Sequence, residues 1–495
     1  MTRIALVSSE PIRPRMAGIG IRYLEFARRL AAAGLETVLL SPAPPAPAAA
    51  ALAAPETRRA SREGGDPRDP RARESADPPE LDAGLDLAGV ELQRCERQRL
   101  GEQLAGCDAA VAQGQLANDL VLAAPALPAA LDLYDPWLIE NLAYHAALGL
   151  DPYRNDHATW LLQLSRGDFF LCSSEEQRTF YLGFLAAVGR VHPEIVARDP
   201  DLRSLIDVVP FGVPDELPPH RPYLAPRRHG ETRLLFGGLY DWYDPWTLLD
   251  ALAALERPGW VLLLIRNPNP GTPQRLFAEV EARCRRLGWW GERVRALDWV
   301  PVERRYDLLR DVDVLVAPHR PSLETRLSLR TRFLDALAAG CPVVTTEGGA
   351  MSRLLREHGA GWVVPPGDAG ALAKALVEAL DAAPGAAWRQ GAAALLASFR
   401  WEQALQPLLR FCREPRRDAT KERFVHSLAT AAPPDGAVFR LRRRLRRLLA
   451  ALPARARPAR PPAGTTAPAP WETPATPERP ATPDRPEMTT GRRRR

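Results

Sequence analysis

The chain has 495 residues, 46% of them hydrophobic and 50 of them proline, with a net charge of +6, which leaves room for two or three domains with a substantial core. From Arg416 onward 19 Lys or Arg stand against 7 Asp or Glu, a surplus of +12, so residues 1–415 are at −6, and nucleic-acid binding by the body is not indicated. Six cysteines without CxxC spacing read as free thiols in a reducing compartment, the start MTRIALVSS is too short for a signal peptide, and no run of 18 apolar residues could span a membrane.

In chain order, Ile4-Ala5-Leu6-Val7 reads as a buried strand, followed by a loop with Gly18 and Gly20. A helix from about Arg22 to Ala33 and a strand at 37–40 complete a βαβ opening. The loop glycines either let backbone N–H groups approach an anion at the helix N-terminus or make a tight structural turn. Residues 42–90 begin PAPPAPAAAALAAPE and carry few large apolar side chains, the composition of a flexible insertion. Order resumes near Leu92, with a strand at 108–112 and another ending in Leu131-Asp132-Leu133-Tyr134-Asp135. Asp132, Asp135 and Glu140 crowd that strand end, where carboxylates orient or deprotonate a substrate hydroxyl, or cap the next helix. A strand and turn at 166–174 and the segment Asp207–Val213 close the first domain, and a Pro- and Arg-rich linker follows to about Thr232.

The second domain opens with the strand 233–236 and the pair Gly237-Gly238. Asp244 and Pro245 suit a helix start, and Trp242 and Tyr243 fit either a ligand pocket or a domain contact. The strand Trp260 to Ile265 ends at Arg266. The central stretch is 311–344: an apolar strand ending at Pro318, then a polar loop with Arg320, Glu324, Arg326, Arg330 and Arg332. Its helix carries Phe333, Leu334, Asp335 and Leu337, Gly340 stops it, and a further strand begins at Cys341. Strands alternate with helices throughout, which predicts two doubly wound α/β domains with ligands beyond the carboxyl ends of their strands.

Several segments carry a resemblance: the loop Gly18–Gly20, VVPFGV at 208–213, Phe236-Gly237-Gly238, FLDALAAGCPVV at 333–344, GWVVPPGD at 361–368, and Trp401. Over roughly 1–41 and 105–412 the body resembles bacterial family 4 glycosyltransferases. The resemblance implies a GT-B fold, two Rossmann-like domains facing a cleft. It also implies retaining transfer from a nucleotide-sugar donor on the second domain to an acceptor on the first. Residues 1–212 would be the acceptor domain, 213–231 the linker, 232–400 the donor domain and 401–412 a crossover helix. Of the family's two glutamates eight positions apart, Asp335 takes the second place and would meet the nucleotide ribose. Leu327 stands at the first, and Glu324 is the nearby carboxylate for the sugar. The family's Arg and Lys after the glycine pair are missing; Leu239 and Asp244 occupy that region.

A leaving diphosphate gains negative charge, which guanidinium groups stabilise. Arg266, Arg326, Arg330 and Arg332 are the substitutes, although Arg330 and Arg332, two apart, cannot share one helix face. The expected site therefore comprises Asp132, Asp135 and Glu324 for the chemistry, with Gly18, Gly20, Gly237, Gly238, Arg266, Arg326, Arg330 and Asp335 for the donor. The eight histidines show no ligand spacing and Asp311-Val312-Asp313 stands at a strand start, so metal-independent transfer without a cofactor is expected. The tail, 413–495, is Pro-rich and basic. Val438, Leu441, Leu445 and Leu448 with six arginines form an amphipathic pattern near 437–450, suited to an anionic membrane surface or to packing on the body. The expectation is a cytoplasmic, peripheral-membrane enzyme of cell-surface polysaccharide synthesis using a saccharide or lipid-linked acceptor. An inactive glycan-binding or scaffold homologue and a nucleotide-sugar epimerase are the alternatives.

Overall fold

A computed structural model describes residues 1–42, 85–144, 149–267, 274–382 and 387–425. The amphipathic pattern near 437–450, most of the 42–90 insertion and His145 lie outside them.

The first sheet has seven parallel strands: β1 (Arg3–Val7), β2 (Glu36–Ser41), β3 (Glu91–Arg94), β4 (Ala109–Gln113), β5 (Ala129–Asp132), β6 (Phe169–Cys172) and β7 (Ile206–Val208), in the order β3-β2-β1-β4-β5-β6-β7. Leu6 of β1 sits between Leu39 of β2 and Val111 of β4. The inner strands, such as β1 and β4, are continuous buried runs because both faces of the sheet are covered. The helix Gly18–Ala32 buries Tyr23, Leu24, Phe26, Ala27 and Leu30 on its sheet-facing side. It begins four residues earlier than the periodicity implies, so the glycine loop is its first turn.

The second sheet has six parallel strands: β8 (Thr232–Gly238), β9 (Trp260–Ile265), β10 (Val294–Leu297), β11 (Val314–Ala317), β12 (Val343–Thr346) and β13 (Trp362–Val364), in the order β10-β9-β8-β11-β12-β13. Capping follows the sequence signals. Asp244 accepts from the Thr247 amide, and Asp368 accepts from that of Ala371. In both sheets the order reverses beside the first strand, between β1 and β4 and between β8 and β11. That is where open α/β sheets leave a crevice.

Asp311 receives the amides of Tyr223 and Leu224 at 2.6 and 2.8 Å, and Asp313 receives that of Arg233 at 2.7 Å. Asp311 therefore pins the segment that joins the domains, and Asp313 holds the start of β8 and pairs with Arg227 of that segment. Trp401 returns the chain to the first domain. It is fully buried against Phe211 and Phe26, and a Cβ on Gly212 would lie 2.3 Å from its ring. Trimming such a tryptophan costs about 3–5 kcal/mol.

The body extends further than the sequence suggests. The tail was expected to start at 413, yet 413–425 packs onto the first domain. Lys421 donates to Asp168 at 2.6 Å, Arg190 donates to Asp418 at 3.0 Å, and Phe424 stacks on His192 with ring centres 3.9 Å apart. Two buried charges, Asp168 and Arg190, need these partners, which is why the strap is held. Residues 85–90 are likewise ordered against the core, with Val90 buried. Among the described residues no helix is long and apolar enough to cross a membrane.

Candidate functional site

Two adjoining cavities occupy the cleft between the sheets. One of about 270 Å³ lies over the glycine pair and is walled by Met16, Trp299, Arg305, Arg332 and Asp335. The other, of about 240 Å³, is walled by Asp135, Glu140, Trp242, Tyr243, Arg330 and Arg332. Gly18, Tyr240, Thr331 and Arg332 line both. Larger cavities, of about 340 and 350 Å³, lie under the strap and beside Glu25 and Glu303. Neither contains the glycine pair or the polar loop after β11, so the two smaller ones form the candidate site.

The first cavity depends on Gly237. Its φ of +89° is a left-handed conformation suited to glycine, and a Cβ there would meet Arg332 Nη1 at 2.6 Å. Arg332 lies across this gap. Its Nη1 donates to the carbonyls of Phe236 (3.1 Å) and Gly238 (3.3 Å), and its guanidinium sits 4.9 Å over the Tyr243 ring. Its Nε and Nη2 have no partner among the described residues. A cation thus stands at the junction of the cavities with donors unspent, close to Leu239, where the resemblance implies a basic residue. Deeper in, Trp299 is fixed by donating Nε1 to the Met16 carbonyl at 3.0 Å, and Asp335 is only 8% exposed.

The second cavity carries the carboxyls. Glu324 is buried and gripped at both oxygens by Arg330, at 2.7 and 2.6 Å, and its Oε1 also accepts from Ser328 Oγ at 2.8 Å. Arg330 is the residue before the helix Thr331–Ala338 and Arg332 lies inside it, so both reach Tyr243 without sharing a helix face. Asp135 and Glu140 hydrogen-bond to each other. Burial, and then the charge of Asp135, raises Glu140 well above its ordinary 4.5, so the folded pair binds its proton more tightly than a free carboxyl does. Because the folded state binds that proton more tightly, Glu140's contribution to stability is full below about pH 4.5 and is lost as pH rises through the raised value. Glu140→Gln is expected to flatten this decline in denaturant titrations between pH 4 and 8. An unchanged slope would mean the carboxyl is not buried against Asp135. His319, 3% exposed at the end of β11, is held neutral by burial and then by Arg330 and Arg332.

Four expected residues fall elsewhere. Asp132 is sealed in a fully buried ion pair with Arg22, at 2.7 and 3.1 Å, and has no face to the cleft. The pair also anchors the chain at 209–210, through Arg22 bonds to the carbonyls of Val209 and Pro210. Gly20 is a packing glycine; its Cβ would strike Met16 Sδ at 2.8 Å. The anion position at its helix N-terminus is filled from within, since Glu10 accepts from the amides of Ala17 (2.6 Å) and Gly20 (2.8 Å). Arg326 is exposed on the short helix Leu323–Leu327, and Arg266 is exposed over Phe277. Neither lines a cavity of the cleft. Gly18, Gly237, Gly238, Asp135, Arg330 and Asp335 do line it, and Glu324 is tied to it through Arg330. Sequence reasoning missed Glu10 and Arg305, whose partners are distant in the chain. It noted Arg332 as a candidate but left it out of the expected site in favour of Arg266, Arg326 and Arg330. Among the described residues no three His, Cys, Asp or Glu side chains gather as a metal site.

Residues 231–382, the second domain, match the family model described as group 1 glycosyl transferases. A 165-residue stretch is 34% identical to the phosphatidyl-myo-inositol mannosyltransferase of Mycobacterium leprae; it covers 32% of this chain and 40% of that relative's length. The whole fold is similar to sucrose-phosphate synthase from Thermosynechococcus elongatus (TM-score 0.53, 17% identity, 84% of this chain and 99% of that one). It is also similar to Anabaena HepE in complex with UDP and glucose (TM-score 0.55, 14% identity, 83% and 100%). The fold is GT-B, and the second domain matches the group 1 glycosyl transferase model.

Proposed function

We propose that the chain is a retaining glycosyltransferase that moves a sugar from a nucleotide-sugar donor to a saccharide or lipid-linked acceptor. The observation that carries this reading is Arg332, an incompletely paired guanidinium at the junction of the two cavities. Base and ribose fit the cavity of Trp299 and Asp335, the diphosphate falls at Arg332, and the sugar reaches the cavity of Asp135 and Glu140. As the bond from the anomeric carbon to the diphosphate oxygen breaks, the diphosphate gains charge and Arg332 stabilises it. The acceptor oxygen bonds to the anomeric carbon, and its proton passes to the diphosphate or to the ionised member of the Asp135–Glu140 pair. Anabaena HepE binds UDP and glucose and the mycobacterial relative is a mannosyltransferase, which supports a nucleotide-sugar donor. A role in cell-surface polysaccharide synthesis, at the inner face of the membrane, is part of the same reading.

The test is to incubate the full chain with nucleotide hexoses and simple glycoside acceptors and to identify the product by NMR. A product with the donor's anomeric configuration is expected, at a rate unchanged by EDTA because Arg332 supplies the cationic charge. Inversion, or loss of turnover with chelator, would contradict the reading. The locked Glu324–Arg330 pair favours a second reading, a binding protein of the same fold, which predicts nucleotide binding without product.

A further inference from the structure

The 240 Å³ cavity has two kinds of wall. One is aromatic, with Tyr134 from the first domain and Tyr240, Trp242 and Tyr243 from the second. Tyr240 and Trp242 lie parallel with ring centres 4.9 Å apart, and the Trp242 carbonyl accepts from the Arg320 amide at 3.0 Å. The Tyr144 ring of the first domain meets Trp242 edge-on, centres 6.3 Å apart. Trp242 is thus both a cavity wall and a domain contact. Rings of this kind offer apolar faces while a few polar groups fix orientation. The other wall is charged. Among the described residues of the first domain that line the cavity, Asp135 and Glu140 are the charged ones, and both are acids. A third carboxyl, Glu10, stands nearby on the amides of Ala17 and Gly20; burial raises it, and the charge of Asp135 adds to the rise. The cations of this cavity come from the second domain and are committed. Arg330 gives both terminal nitrogens to Glu324, and Arg332 lies at the junction where the donor's diphosphate falls. An acceptor approaching along the first domain therefore meets carboxyls that take hydroxyl donors, and no cation left for an anion. A phosphate, sulfate or carboxylate there loses its water beside like charge, which is costly.

Resting on the transferase reading above, we propose that the acceptor's reacting sugar is uncharged or carries an amine, and that Asp135 and Glu140 exclude a sugar bearing an anionic group. Specificity of this kind comes from a repulsive element as well as an attractive one. The carboxyls accept from sugar hydroxyls or an ammonium, the rings of Tyr240 and Trp242 wall the apolar side, and an anion is refused by charge.

The experiment follows transfer by the full chain from a nucleotide hexose to a methyl hexoside, to its sulfated counterpart and to its amino counterpart. The substituent stands at C2 in one series and at C6 in another, so the reacting hydroxyl is blocked in at most one of them. In a series that leaves it free, wild type is expected to use the sulfated sugar about tenfold or more less well in kcat/KM than the parent, and the amino sugar at least as well as the parent. In Glu140→Gln and Asp135→Asn the ratio of parent to sulfated sugar is expected to fall to about threefold or less. Because a ratio is read, a general loss of rate or of folded protein cancels. Equal use of parent and sulfated sugar by wild type, or a ratio unchanged in both variants, overturns the inference and leaves the transferase reading intact. Exclusion of the amino sugar as strong as that of the sulfated one in both series would assign the effect to bulk and overturns it too. If wild type turns over no nucleotide hexose, the transferase reading fails and this inference with it.

Discussion

Arg332→Met is expected to lower kcat/KM for transfer by about 10²–10³-fold, roughly 3–4 kcal/mol of transition-state stabilisation. The size follows from preorganisation. Arg332 is already tied by one nitrogen to the Phe236 and Gly238 carbonyls and supported by Tyr243, so no reorganisation is needed when charge develops. Methionine keeps most of the length and the ring contact and removes the charge. Arg266→Met and Arg326→Met, on exposed positions outside the cleft, are expected to change kcat/KM little. Arg330→Met is a different experiment. It strips the buried Glu324 of both charged donors, and its first effect is on stability. Steady-state kinetics of the four variants checks the ranking; an Arg332→Met enzyme as fast as wild type would remove Arg332 from the chemistry.

Truncation after Cys412 is expected to destabilise the first domain severely, although the sequence marks everything beyond as tail. It removes Lys421 from Asp168 and Asp418 from Arg190, leaving a buried carboxylate and a buried guanidinium without their charged partners. Breaking one buried pair on one side costs about 3–5 kcal/mol. Lys421→Met tests one pair without shortening the chain. Denaturant unfolding of a chain ending at 425, one ending at 412, and Lys421→Met measures the effect. Equal midpoints for all three would show that the strap is only laid on the surface.

The sheets were legible because strands buried on both faces are unbroken apolar runs, as in Ile4–Val7 and Trp260–Ile265, and because Gly340 and Asp368 mark helix ends. The site was legible only in part. Gly237 and Asp335 stand in motifs of fixed spacing. Asp132 looked like its neighbour Asp135, and only the position of Arg22, 110 residues away, takes it out of the cleft. Four arginines after or near strand ends were equivalent in sequence. Which one lies at the glycine pair is set by the room that Gly237 leaves for Arg332, and that is a property of packing. Lys421 and Asp418 sit in a basic, Pro-rich context whose composition hides two buried ion pairs.

The most direct test of the account is titration of the full chain, wild type and Arg332→Met, with UDP, GDP and ADP in a calorimeter. One diphosphate is expected to bind wild type one-to-one at micromolar concentration, and its affinity is expected to fall about tenfold or more in the variant, as loss of a charged hydrogen bond implies. No binding to wild type, or equal binding to both proteins, would contradict the assignment of the cleft as a donor site centred on Arg332.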